Sequence, residues 1–193
     1  MRIYWWQNMK SKELAILSLI NEGPSHAYIL EDKIERRGMR NWTDIGFSSI
    51  YRIITELEKK ELVTSELLQE EGGRIRKEYT ITKLGKQELQ KASKTALSSP
   101  SRPKSDFDLG LANIWLLNQE EAIKALEEFL QSLKERRRIM FDNWEKSGGK
   151  GKIPYLIEAL FEHGDVMSLA EMKFVEELIR KIKKHGITNA IDK

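Results

Sequence analysis

Between residues 62 and 82 the spacing of apolar residues changes character, and this limits the folds open to the chain more than any other feature. Before it, the pattern is helical. Leu14, Ala15, Ile16, Leu17, Leu19 and Ile20 make residues 11–22 apolar almost all round, which predicts a helix buried on most sides and ended by Gly23-Pro24. Ser25 is the expected cap of a second helix, with Ala27, Leu30 and Ile34 on one face and Gly38 just past its end. Ser48 is the expected cap of a third, in which Ile50, Ile53, Ile54 and Leu57 recur at i, i+3, i+4 and i+7. The period then drops to two. Val63–Leu68 and Ile75–Ile81 read as strands, joined by the turn Glu70-Glu71-Gly72-Gly73-Arg74. A fourth helix is expected from about Thr82 to Ala96. Three helices followed by a hairpin is the plan of a winged helix-turn-helix, in which the third helix enters a DNA major groove and the hairpin is the wing.

After this region comes Leu97-Ser98-Ser99-Pro100-Ser101-Arg102-Pro103-Lys104-Ser105, rich in serine and proline, which reads as a linker over 98–105. The expected division is a winged helix-turn-helix over 1–97 with residues 1–10 as an N-terminal arm, and a helical domain over 106–193. Charge divides at the same place. Residues 1–104 hold 19 Lys+Arg against 14 Asp+Glu, while residues 105–193 hold 14 against 16. The first half is basic and the second slightly acidic.

The second half reads as pure helix. A short apolar helix is expected from Phe107 to Leu116, and a long one from Gln119 with Asn118 as cap. In it Ile123, Leu126, Leu130, Leu133, Met140 and Trp144 keep coiled-coil spacing, with Arg137 the one break. Ser147-Gly148-Gly149-Lys150-Gly151 ends it, and Pro154 suits the first turn of the next helix. That helix carries Ile157, Leu160, Phe161, Gly164, Met172, Val175, Leu178, Ile179 and Ile182, and His185-Gly186 closes it. Two such helices on a short loop form an antiparallel hairpin whose uncovered apolar surface calls for a second copy. The expected dimerisation residues are Ile123, Leu126, Leu130, Leu133, Met140, Trp144, Leu160, Phe161, Val175 and Leu178. The Phe107–Leu116 helix and the arm Tyr4-Trp5-Trp6 join them, and Arg137 is expected to meet an acidic residue across the dimer. The fold class is therefore mainly α with a small β-wing: an N-terminal winged helix-turn-helix plus a C-terminal antiparallel helical dimerisation domain.

Several function classes fall away on composition. The chain has no cysteine, which excludes a disulfide scaffold, a thiolate zinc site and a cysteine nucleophile. His163 and His185 are far apart and lack metal-ligand partners. No phosphate loop, nucleophile elbow or paired-carboxylate arrangement stands out, so an enzyme is not expected, nor is a cofactor. No apolar run approaches the ~18 residues of a membrane span. The expected location is the cytoplasm, in association with the nucleoid.

A set of segments then resembles a known family. Ile16-Leu17-Ser18-Leu19-Ile20-Asn21-Glu22-Gly23-Pro24-Ser25-His26-Ala27-Tyr28, Ser49-Ile50-Tyr51, Leu57-Glu58-Lys59 and Gly73-Arg74-Ile75-Arg76-Lys77-Glu78-Tyr79-Thr80-Ile81-Thr82 follow the order and spacing of the PadR family of transcriptional regulators, in its longer subfamily with a helical C-terminal domain. The chain departs from that pattern at Ser48, Arg52, Glu61, Ile75 and Glu78. At Glu61 the family has a turn glycine, and a glutamate side chain disfavours positive φ. The resemblance implies a sequence-specific DNA-binding regulator, a repressor acting as a homodimer on a pseudo-palindromic operator and released by a small-molecule effector. Its partners are double-stranded DNA and a second copy of itself, with no membrane.

The DNA-binding candidates are Ser49, Tyr51, Arg52 and Thr55 on helix three and Arg74, Arg76 and Lys77 on the wing. Tyr51 is implied by the resemblance as a phosphate contact. Arg52 has the reach and shape for a phosphate or a guanine edge. Arg74, Arg76 and Lys77 place three cations beside the glycine turn, and cations neutralise phosphates. His26 reads as a hydrogen-bonded cap rather than a DNA contact. Trp115 and Trp144 are the candidates for an effector pocket. The alternative function is a winged-helix adaptor that binds protein and not DNA; the basic wing argues for DNA, because an adaptor needs no cationic tip.

Overall fold

The computed structural model describes residues 9–46, 48–69, 75–100 and 105–187. The arm Tyr4-Trp5-Trp6, the turn 70–74 with Arg74, and linker residues 101–104 lie outside the described residues. The chain divides into two compact units, residues 1–101 and 102–193.

The first unit holds α1 (Ser11–Asn21), β1 (Ser25–His26), α2 (Ala27–Arg36), a short 3-10 turn (Met39–Asn41), α3 (Ser49–Lys59), β2 (Val63–Gln69), β3 (Ile75–Ile81) and α4 (Lys83–Ser98). The all-round apolar pattern of α1 has its expected cause: Ile16, Leu17, Leu19 and Ile20 are all buried, among Leu30, Ile34, Ile50, Ile54, Leu57 and Leu62. One charge joins this interior. Glu13 is buried, accepts from the Lys10 backbone N–H at 3.4 Å, and takes both oxygens to Lys60 Nζ at 2.8 Å, which ties α1 to the end of α3. A buried carboxylate with no such partner would be costly.

Three local expectations are corrected. Ser25 is not the cap of α2. It pairs with Tyr79 and, with His26, adds a third strand, so the antiparallel sheet runs β1-β3-β2. Ser48 flanks α3 without a side-chain cap bond; the neighbouring Ser49 Oγ donates instead to the Gly46 carbonyl at 2.6 Å. Glu61 does adopt positive φ, at 59°, the one non-glycine to do so among the described residues. The geometry at the end of α3 demands it: Leu62 N–H bonds Leu57 C=O and Glu61 N–H bonds Glu58 C=O, both at 2.9 Å, the paired bonds of a Schellman ending.

α4 starts on Thr82, whose Oγ1 accepts from Gly85 N–H at 2.9 Å and donates to the Glu61 carbonyl at 2.8 Å. The approach is so close that a Cβ at Gly85 would lie 2.0 Å from the Leu62 carbonyl oxygen. This seat fixes the hairpin root against the helices. The hairpin register pairs Val63 with Ile81 and, at its far end, Gln69 with Ile75.

The second unit holds α5 (Asp106–Ala112), a 3-10 turn (Ile114–Leu116), α6 (Gln119–Lys146) and α7 (Tyr155–His185). The single helix expected over Phe107–Leu116 is broken at Asn113. Asn118 and Glu121 form a reciprocal capping box at the start of α6. α6 and α7 are antiparallel, since Glu127 bonds Lys183 and Arg137 bonds Asp165.

The dimerisation expectation needs correction here. Leu126, Leu133, Trp144 and Val175 are all buried within a single chain. Leu126 and Val175 share a cluster with Ile179 and Ile182, flanked by Ile123, Leu130 and Leu178. Trp144 stacks on Phe161 at 5.3 Å and on Phe141 at 5.7 Å. The hairpin closes this seam by itself. Ile123, Leu130, Met140, Phe161 and Leu178 are half-buried along it, and Leu160 alone of the ten is exposed, at 62%. Arg137 is likewise satisfied within the chain: Nε donates to Asp165 Oδ1 at 2.5 Å, and the guanidinium lies 4.8 Å from the centre of the Phe141 ring.

Candidate nucleic-acid interface

α3 separates its residues cleanly. Ile50, Ile53, Ile54 and Leu57 face the core, and Tyr51, Arg52 and Thr55 face solvent. Tyr51 is 64% exposed, so packing on a neighbouring helix does not account for it. Thr55 Oγ1 donates to the Tyr51 carbonyl at 2.9 Å, which leaves its oxygen as an outward acceptor. Ser49 is half-buried and spends its proton on Gly46. The outer face of the helix is thus Tyr51, Arg52 and Thr55, with Ser49 at its start.

Arg76 and Lys77 are neighbours on β3, so their side chains leave opposite faces of the strand. Lys77 turns toward α3, where Nζ donates to Glu58 Oε2 at 2.8 Å. Glu58 also accepts from Ser65 Oγ. The Lys77 hydrogen bond, followed by that of Ser65, holds the Glu58 carboxyl below its ordinary pKa. The same bond raises the lysine above its own. Both groups are charged at neutral pH, so this is a standing ion pair. Tyr79, between them and the core, has its phenol pKa pushed up chiefly by burial.

Arg76 turns the other way. Its Nη1 donates to Tyr28 Oη at 2.7 Å, and its guanidinium carbon lies 4.7 Å from the centre of the Tyr28 ring. Tyr28, in the first turn of α2, is half exposed and stacks parallel to His26 at 5.6 Å. His26 Nδ1 sits 3.0 Å from the Lys77 carbonyl oxygen. His26 therefore ties β1 to the wing strand rather than capping α2 with its ring.

Two residues of this assembly escaped the sequence reading. Tyr28 and Glu58 both lie within the segments quoted above, but neither is a cation. Only the pairing of β1 with β3 and the packing of α3 on the hairpin bring them to the wing. Leu67 and Ile75, 71% and 65% exposed, share the wing face that carries Lys77.

The two tryptophans do not meet. Trp115, 38% exposed, precedes α6, and Trp144 is buried near its end. The 25 residues from Gln119 to Trp144 put about 37 Å of helix between them at ~1.5 Å per residue. They cannot line one pocket within a chain. Among the described residues no group of three His, Asp or Glu side chains is placed to hold a metal ion, and no helix is long and apolar enough to cross a membrane.

Comparison with known proteins places this geometry. Residues 16–91 match the transcriptional regulator PadR-like family. No curated protein sequence matches. Among solved structures, the chain is similar to Bacillus subtilis PadR in complex with operator DNA, with 20% identity, a TM-score of 0.71, and coverage of 90% of this chain and 99% of that one. PadR in complex with p-coumaric acid is similar at 20% identity and a TM-score of 0.70, over 90% and 99% of the two chains. The PadR-like regulator BC1756 from Bacillus cereus is similar at 16% identity and a TM-score of 0.66, over 92% and 98%. At these identities the likeness is one of fold, and it extends through both units.

Proposed function

From the premise that residues 16–91 are a PadR-like transcriptional-regulator domain, we propose that this chain is a homodimeric repressor that binds a pseudo-palindromic operator and is released by a small-molecule effector. The carrying observation is that α3 turns Tyr51, Arg52 and Thr55 to solvent while the adjoining wing strand brings Arg76 and Lys77. Helix three supplies groups for base edges, and the wing supplies charge for phosphates. The similar PadR of B. subtilis is known with operator DNA and with p-coumaric acid, which supports both the DNA and the effector parts of the reading.

The dimer part rests on a face of α7 that the intrachain seam leaves open. Leu156, Leu160, Met167 and Phe174 are 66%, 62%, 58% and 46% exposed. With His163 and Ala170 they fall at alternating spacings of four and three, the repeat of a helix–helix seam. A two-fold dimer presents two recognition helices and two wings, and its site is then two inverted half-sites.

A gel shift tests the reading, with the DNA upstream of the chain's own gene and a scrambled duplex at 50 and 200 mM salt. Tighter binding to the first, weakened steeply by salt, is expected. Equal binding to both, or none, overturns it.

A further inference from the structure

We propose that Tyr28 and Arg76 form a single binding unit for one phosphate of the DNA backbone, so that the start of α2 and the wing grip the same point on the strand. The proposal rests on the DNA-binding reading above and assigns a contact to a residue, Tyr28, that a survey of cations passes over.

The geometry carries it. The Arg76 guanidinium is held twice by one side chain: Nη1 donates to Tyr28 Oη at 2.7 Å, and the guanidinium carbon sits 4.7 Å from the ring centre. A guanidinium is a planar fork of five N–H donors, and it discriminates a phosphate only when the plane is fixed. The tyrosine fixes it. The Tyr28 hydroxyl accepts from Arg76, and its own proton is left to donate onward. A hydroxyl that accepts from a cation is a stronger donor, because bonds in a chain polarise one another. A phosphate oxygen beside the pair therefore meets an oriented N–H and a polarised O–H together.

The ring is itself held in place. Tyr28 stacks parallel to His26, and His26 is bonded to the wing strand through the Lys77 carbonyl. Helix two and the wing are thus one body at this point, by way of β1. Tyr28 nevertheless remains half exposed, as a surface contact must. Lys77, on the opposite face of the strand, is committed to Glu58 and takes no part in this unit.

The contact is sequence-independent, so a random 30-base-pair fluorescent duplex is a sufficient probe. Binding of the full chain is measured by anisotropy across a salt series for wild type, Tyr28→Phe, Arg76→Ala and the double variant, with melting temperatures taken in parallel. Tyr28→Phe keeps the ring and loses only the hydroxyl. It is expected to weaken binding roughly three- to tenfold with an unchanged melting temperature. Its log–log salt slope stays as in wild type, since a neutral hydroxyl displaces no counterion. Arg76→Ala is expected to weaken binding more and to lower the slope by about one per protomer. The double variant should bind like Arg76→Ala alone, because the two groups act as one. Wild-type affinity for Tyr28→Phe, or a double variant that loses the sum of both effects, overturns the proposal while leaving the DNA-binding reading intact. Failure of wild type to bind duplex in a salt-dependent way removes the reading beneath it.

Discussion

At position 58 a glutamate occupies one of the two wing cations left among the described residues. Its ion pair with Lys77 is made in the free protein, with Ser65 as a second donor to the carboxylate. A DNA phosphate approaching Lys77 must compete with that carboxylate and also meets its negative charge. Glu58→Gln is therefore expected to tighten binding to any duplex by roughly two- to fivefold, the worth of an exposed ion pair, and to steepen the salt slope. Weaker binding by this variant would instead make Glu58 the group that holds Lys77 in position. Arg52, exposed on α3, answers a different question. As a base contact, Arg52→Ala should cost about 1–3 kcal/mol on the operator and less on scrambled DNA. Equal losses on the two would make it a phosphate clamp. At this scale the sequence exposed the cations and concealed what restrains them, since Glu58 and Lys77 are 19 residues apart and meet only across the packed hairpin root.

Among the elements, those with a long period were legible and those held only by a neighbour were not. The reading of Ile75–Ile81 as a strand and of α6 from Gln119 matches the structure because seven or more residues repeat a pattern. β1 has two residues, too few for any period, and its identity comes entirely from pairing with β3. Glu61 was legible in kind: a residue expected to disfavour positive φ adopts it because the end of α3 requires a left-handed residue. Glu61→Gly should consequently stabilise the protein by about 0.5–1 kcal/mol, read as a rise in urea midpoint at unchanged slope. Gly85→Ala is the opposite case. Its Cβ would fall 2.0 Å from a backbone oxygen that cannot swing aside. The variant is expected to lose about 3 kcal/mol or more, and a loss below 1 kcal/mol would show that the α4 seat is softer than this geometry implies.

For the whole molecule, an amphipathic stripe tells which side of a helix is covered but not which chain covers it. The coiled-coil spacing of α6 read as an invitation to a second copy, and α7 accepts that invitation within the same chain through Leu126, Val175, Ile179 and Ile182. The open face of α7 was passed over, since Leu160 was placed on the other stripe and Leu156, Met167 and Phe174 were not singled out. The two faces give separable variants. Leu160→Glu with Met167→Glu should yield a folded monomer by light scattering, with a far-ultraviolet spectrum like that of wild type. Leu126→Glu should unfold the second unit, because it places a charge in a closed core. A folded dimer from the first variant would send the search for the interface elsewhere. The winged half was the more legible half, because its fold is fixed by local pattern and a short hairpin.

The most direct test of the account is the salt dependence of wild type beside Lys77→Ala and Arg76→Ala, measured on the DNA upstream of the gene and on a scrambled duplex. DNA binding through α3 and the wing predicts tighter binding to the first duplex and steep salt dependence on both. It also predicts a slope shallower by about one per protomer for Arg76→Ala, and a smaller change for Lys77→Ala, whose charge Glu58 already meets. Wild-type slopes and affinities for both variants, on both duplexes, would contradict it.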